Sequence, residues 1–206
     1  MTLKVGINGF GRMGRLVMRA AWDWPDVQFT HINDPAADSS SLAHLLTFDS
    51  VHGRWTHAAT AADGMLQVGD RRIGTSRNNA IEDTDWSACD VVIEASGVFK
   101  SRSLLQPYLE QGVPRVVVTA PIKEEGVLNV VMGINQHLYN ARQHSIVTAA
   151  SCTTNCLAPV IKVLHEQLGI RHGSMTTVHD ITNTQSILDE HHRDLRRARA
   201  SSMNLI

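Results

Sequence analysis

The sequence predicts an α/β protein: a Rossmann-type, doubly wound parallel sheet followed by the start of a second α/β domain. Three observations carry this expectation. Short apolar runs alternate with stretches of helical spacing, as expected of parallel strands covered on both faces. A glycine-rich turn, "GFGRMG" (9–14), stands between the first run and the first helical stretch. An acidic residue, Asp34, closes the second run.

Taken in order, "LKVGIN" (3–8) is a strand and "GRLVMRAAW" (14–22) the helix after it. "VQFTHIND" (27–34) is the second strand. Residues 54–76, with a Gly-Asp turn signal in "DGMLQVGDRRIGTS", suit an antiparallel insertion better than a crossover. "CDVVIEASG" (89–97) is an apolar run bounded by glycine, and "SRSLLQPYLEQG" (101–112) has helical character despite Pro107. "RVVVTAP" (115–121), "NVVMGIN" (129–135) and "HSIVTAA" (144–150) are three further β-branched runs. "CTTNCLAPVIKVLHEQLG" then spaces Leu157, Val160, Ile161, Leu164 and Leu168 as on a helix. The expected boundaries are a dinucleotide-binding domain over 1–151 and the N-terminal part of a catalytic domain over 152–206.

Composition narrows the function classes. The 206 residues allow one large domain, or one domain and part of another. With 43% hydrophobic and 19% charged residues the chain can bury a core. A net charge of −1 gives no global footprint for nucleic acid or an anionic membrane. No apolar run reaches the ~18 residues of a membrane span, and the strand-like pattern at the N-terminus leaves no room for a signal peptide. Three cysteines argue against a disulfide framework. These features together predict a reduced, cytoplasmic, globular protein.

In "GFGRMG", Gly9 suits the tight turn, Gly11 the backbone approach to a pyrophosphate, and Gly14 close helix–sheet packing. The following helix N-terminus offers free N–H groups and partial positive charge to a diphosphate. Asp34 lies 20 residues beyond Gly14. A carboxylate there accepts hydrogen bonds from ribose hydroxyls and repels a 2′-phosphate, which favours NAD over NADP.

"AASCTTNCLAP" (149–159) places two cysteines four apart. A metal pair would need further ligands at ligand-like spacing, which the sequence does not offer; no metal is expected. An inert buried pair is the bland alternative. Cys152, however, falls at or near a helix N-terminus, where the dipole favours a thiolate. Ser151, Thr153 and Thr154 supply hydroxyls and caps around it. These features favour a nucleophile. For a base, "GSMTTVHDITNTQ" (173–185) offers His179 in a strand-like alternation with Met175 and Thr177, among small polar residues. Spacing alone does not place it against Cys152.

The segments "INGFGRMGR", "HINDP", "FDSVHGRW", "EASGVF", "VVTAP", "VMGIN", "TAASCTTNCLAPV" and "DLRRARASSMNLI" occur in this order. The chain thereby resembles the phosphorylating glyceraldehyde-3-phosphate dehydrogenases throughout. The resemblance implies that Cys152 attacks the aldehyde and His179 is its base. It implies that Arg12, Met13, Asp34, Arg77 and Thr119, with the glycine turn, touch NAD. It implies that Ser151, Thr153, Thr182 and Arg197 surround the substrate phosphate or the attacking inorganic phosphate, and that Cys156 is a packing residue. A sugar phosphate and inorganic phosphate are the implied partners, and the arginine-bearing loop 194–200 implies a homotetramer.

The family pattern continues beyond Ile206 through most of a catalytic domain. Either a fragment or a shortened homologue is expected, and activity of this piece alone is an open expectation. Two alternatives stand beside the main reading: an erythrose-4-phosphate dehydrogenase, whose pattern is similar, and a truncated, non-catalytic NAD-binding homologue. "HDITNTQ" does not discriminate substrate length, nor glycolysis from a side pathway.

Overall fold

The computed structural model describes residues 2–182 and 185–203; residues 183–184 of "HDITNTQ" and 204–206 of "DLRRARASSMNLI" lie outside them. In chain order the elements are β1 (Leu3–Asn8), α1 (Arg12–Ala21), β2 (Val27–Asn33), α2 (Ser39–Thr47), β3 (Phe48–Asp49), β4 (Gly53–Arg54) and β5 (Ala59–Ala62). Then come β6 (Met65–Val68), β7 (Arg71–Ser76), β8 (Val91–Glu94), α3 (Arg102–Glu110), β9 (Arg115–Val118), β10 (Leu128–Asn129), β11 (Ile146–Thr148) and α4 (Cys152–Leu168). The chain divides into two compact units, Met1–Gln167 and Leu168–Ile206.

The first unit is built on a nine-stranded sheet of order β10-β11-β9-β8-β1-β2-β7-β6-β5. β1 pairs parallel with both β2 and β8, so the first two apolar runs are neighbours. A central strand can serve two cores because side chains alternate faces. In β8, Val92 packs with Trp86, Leu105 and Tyr108, while Val91 and Ile93 pack against the cluster of Ile7, Met18, Ile32 and Leu46. That double burial is why the strand reads as a continuous apolar run. Gly6 is a packing requirement: a Cβ there would stand 2.8–2.9 Å from the Trp86 ring and the Cys89 sulfur.

Several expected elements differ in detail. The first helix starts at Arg12 rather than residue 14. The 54–76 insertion does form antiparallel pairs, β5 with β6 and β6 with β7, yet β7 also pairs parallel with β2 and joins the main sheet. The run 129–135 is strand only at its start, as β10. The Asn135 side chain accepts the N–H of Val131 and donates to the Asn129 carbonyl, taking bonds a ladder would use, while Asn129 turns its own amide onto the backbone of Ile122. Residues 173–182 form no strand, correcting the alternation inferred around His179; Met175 and Val178 are exposed and no partner strand pairs with them among the described residues. Cys156 is exposed in this chain, not packed. The same holds along α4, which buries no residue and exposes Val160, Ile161, Val163 and Leu164.

Candidate functional site

The strand order reverses between β1 and β8: the chain winds outward through β2 and β7 on one side and through β9 and β11 on the other. In doubly wound sheets such a switch point opens a crevice at the carboxyl ends of the strands. At its floor Gly9 has φ +87°, and a Cβ on it would lie 2.3 Å from the Ser96 backbone nitrogen. A Cβ on Gly14 would lie 2.3 Å from the Gly9 carbonyl oxygen, so α1 sits directly on the turn. Gly11, at the N-cap of α1, faces open space, and no side chain caps the helix. Arg12 reaches Asp49 at 3.4 Å, and Met13 is exposed.

Asp34 braces this turn. Its Oδ2 accepts the Phe10 N–H at 2.7 Å and its Oδ1 the Ala36 N–H at 3.0 Å. Arg77 is exposed beside the same segment, with a guanidinium nitrogen 3.5 Å from the Pro35 carbonyl. Thr119, just past β9, donates its N–H to the Glu94 carbonyl at 2.9 Å.

Beneath the crevice lies a buried polar network. Glu94, 1% exposed, accepts from the Ser96 N–H and hydroxyl through Oε1. Its Oε2 accepts from the Asn8 amide at 2.8 Å and the Tyr108 hydroxyl at 2.7 Å. Asn33 donates to Asn8 Oδ1 and accepts from Ser76, whose hydroxyl also meets His31 Nε2 at 2.8 Å. Burial, then the adjoining Glu94 charge, pushes the Tyr108 hydroxyl far above its ordinary range. Sequence reasoning missed these residues. Their one signal was that apolar strands ended in Asn8, Asn33 and Glu94 rather than in loop residues.

A second arrangement follows β11. Thr148, 1% exposed, ends the strand, and Ala150 adopts φ 56°, a left-handed conformation uncommon for a residue with a Cβ. Ser151 then caps α4: its hydroxyl accepts the Thr154 N–H at 3.1 Å. Cys152 is therefore the first residue of the helix and is exposed, with Thr153 half-buried next to it. Cys89, by contrast, is buried, and that burial raises its thiol pKa.

The second unit carries His179, Thr182 and Arg197. His179 Nδ1 lies 2.7 Å from the Asp180 carbonyl, and the Thr182 N–H donates to Gln185 at 2.9 Å. In the arginine run, Arg196 grips both oxygens of Asp194, and that contact, first of all, lowers the carboxyl pKa to about 2. Arg199 pairs with Asp189. Arg197 is exposed, with no ion pair among the described residues.

A parallel sheet wound in two directions, a glycine turn at its switch point and an acidic residue at the end of β2 define a Rossmann-type dinucleotide-binding domain, here followed by the opening of a catalytic domain. Residues 3–102 match the model of the glyceraldehyde 3-phosphate dehydrogenase NAD binding domain, and residues 151–206 that of the C-terminal domain. The chain belongs to the glyceraldehyde-3-phosphate dehydrogenase family. It is 53% identical to glyceraldehyde-3-phosphate dehydrogenase 3 of Nostoc sp., over all of this chain and 61% of the relative. It is 47% identical to the Geobacillus stearothermophilus glyceraldehyde-3-phosphate dehydrogenase, and 44% to glyceraldehyde-3-phosphate dehydrogenase 1 of Bacillus subtilis, over all of this chain and 62% of each relative. The chain thus spans about 61–62% of the length of the curated relatives it matches. No described helix is long and apolar enough to cross a membrane.

Proposed function

We propose that this chain contributes the cofactor domain and the nucleophile to an NAD-dependent enzyme that oxidises and phosphorylates glyceraldehyde 3-phosphate to 1,3-bisphosphoglycerate. The observation that carries the reading is Cys152 as the exposed first residue of a capped helix, in the same unit as the glycine turn. The helix dipole there favours the thiolate over the thiol. The residues present fit NAD: Gly11 leaves open space at an uncapped helix N-terminus, where a diphosphate is favoured. Asp34 keeps lone pairs for ribose hydroxyls while bracing Phe10. Arg12, Met13, Arg77 and Thr119 complete the cofactor set.

NAD, when bound, supplies the hydride acceptor. In the chain's own chemistry, the Cys152 sulfur adds to the aldehyde carbon to give a thiohemiacetal, and His179 takes the hydroxyl proton as the carbon is oxidised to a thioester. Inorganic phosphate, held by Thr182 and Arg197, then attacks the thioester carbon, so that the C–S bond breaks, the acyl phosphate leaves and the Cys152 thiolate is restored. Ser151 and Thr153 line the phosphate positions. Among the described residues Arg197 makes no ion pair, which suits it to an anion, unlike Arg196 and Arg199. The catalytic domain opens at residue 152, the working assembly is a homotetramer, and the setting is cytoplasmic glycolysis.

Iodoacetamide alkylation near neutral pH, followed by peptide mapping, tests the nucleophile. Label is expected first on Cys152, with Cys89 inert because burial raises its thiol pKa. In the NADH-forming assay with glyceraldehyde 3-phosphate, Cys152→Ser is expected to abolish turnover, and His179→Asn to slow it by roughly 10²–10⁴-fold. Label appearing first on Cys156, with Cys152 unreactive, would refute the assignment.

A further inference from the structure

We infer that Asn155 is a positioning residue for the nucleophile, acting as a clamp that keeps Ala150 left-handed and so aims the first turn of α4. The inference rests on the assignment of Cys152 as nucleophile.

Ala150 is one of two described non-glycine residues with positive φ, and the other, Asp63, lies in a hairpin turn. An alanine pays a steric penalty in that region, so it remains there only when its surroundings over-determine it. The surroundings here are specific. On the strand side, the Ala149 N–H donates to the Val118 carbonyl at 2.9 Å. The Ala150 N–H donates to the Thr148 hydroxyl at 3.0 Å, and that hydroxyl donates to Asn129 at 2.7 Å.

On the helix side one side chain closes the turn. The Asn155 amide nitrogen donates to the Ala149 carbonyl at 2.7 Å and to the Ser151 carbonyl at 2.9 Å. These two carbonyls flank Ala150, so a single amide bridges the backbone across the strained residue. Asn155 also donates its own N–H to the Ser151 carbonyl at 2.9 Å, which fixes the side chain to the helix it steers. Cys152 begins one residue past this bridge. Loss of the bridge lets Ala150 relax toward negative φ, which swings the Ser151 cap and shifts Cys152 relative to the helix N-terminus, where the dipole acts.

This mechanism makes a distinctive prediction, because glycine adopts the left-handed region without a Cβ penalty. The reading is the iodoacetamide rate at Cys152 as a function of pH, with thermal unfolding measured in parallel. Asn155→Ala, an exposed helical position given a strong helix former, is expected to slow neutral-pH alkylation about tenfold and to raise the thiolate midpoint. In the Ala150→Gly background, the same substitution is expected to change the rate by less than about twofold. A merely structural role would lower the melting temperature without moving the pH midpoint, and glycine at 150 would not rescue it. An equal loss in both backgrounds, or no loss in either, overturns the clamp. Label that never prefers Cys152 in the unmodified protein instead refutes the nucleophile assignment, so the two failures are separable.

Discussion

Gly9 and Gly11 belong to one motif, yet the structure assigns their loss different consequences. At Gly9 a Cβ is disfavoured twice. The left-handed φ of +87° costs a side chain about 1–2 kcal/mol, and contact 2.3 Å from the Ser96 nitrogen adds an overpacking cost of about 1–3 kcal/mol. The obstacle is backbone, and Ser96 cannot easily retreat because its N–H and hydroxyl are bound to buried Glu94. Gly9→Ala is therefore expected to lower stability by about 2–5 kcal/mol, a fall of roughly 5–20 °C in melting temperature for a chain of this size. At Gly11 φ is −68° and a Cβ meets nothing within 4 Å. Gly11→Ala is expected to cost the fold no more than about 1 kcal/mol, from weaker N-cap preference. It is expected to weaken NAD at least about tenfold, since the new methyl occupies the approach of the pyrophosphate. Thermal unfolding with calorimetric NAD titration measures both. A Gly9→Ala protein melting with the unmodified one, or a Gly11→Ala protein with undiminished NAD affinity, would refute the reasoning.

Asp34→Ala is expected to weaken NAD, relax discrimination against NADP, and destabilise the fold by about 1–3 kcal/mol through the orphaned Phe10 N–H; calorimetry finding equal affinity of the unmodified protein for NADP would count decisively against the role. Tyr108→Phe removes a hydroxyl that donates to Glu94 and accepts from Asn8. A loss of about 1–3 kcal/mol in urea denaturation is expected, and unchanged stability would show the network to be dispensable. Burial lowers the pKa of the His31 ring below its ordinary 6.5. The unfolded chain then binds the extra proton first, so stability declines as pH falls from about 6.5 through that window. His31→Gln is expected to flatten this decline between pH 7 and 5, and an identical pH profile would exclude His31 as its source.

Local patterning along the chain was enough to read the layered sheet, the glycine turn and its acidic partner, and the placement of Cys152. Each is a local signal: a strand buried on both faces must be apolar along its length, a left-handed turn favours glycine, and a Ser-capped helix starts where its hydroxyl meets the N–H three residues on. Local patterning misled where partners were distant or side chains intervened. Residues 129–135 carry β-branched character, yet the Asn135 side chain takes the backbone bonds of Asn129 and Val131, and the alternation around His179 finds no strand to pair with among the described residues. Only the tertiary structure showed that Asp34 holds the glycine turn from 24 positions away, and that Asn8, Asn33, Glu94 and Tyr108 form one buried network. It alone revealed the left-handed Ala150 bridged by Asn155. Such features depend on hydrogen-bond geometry between residues that folding brings together, and neither periodicity nor residue type encodes that geometry along the chain.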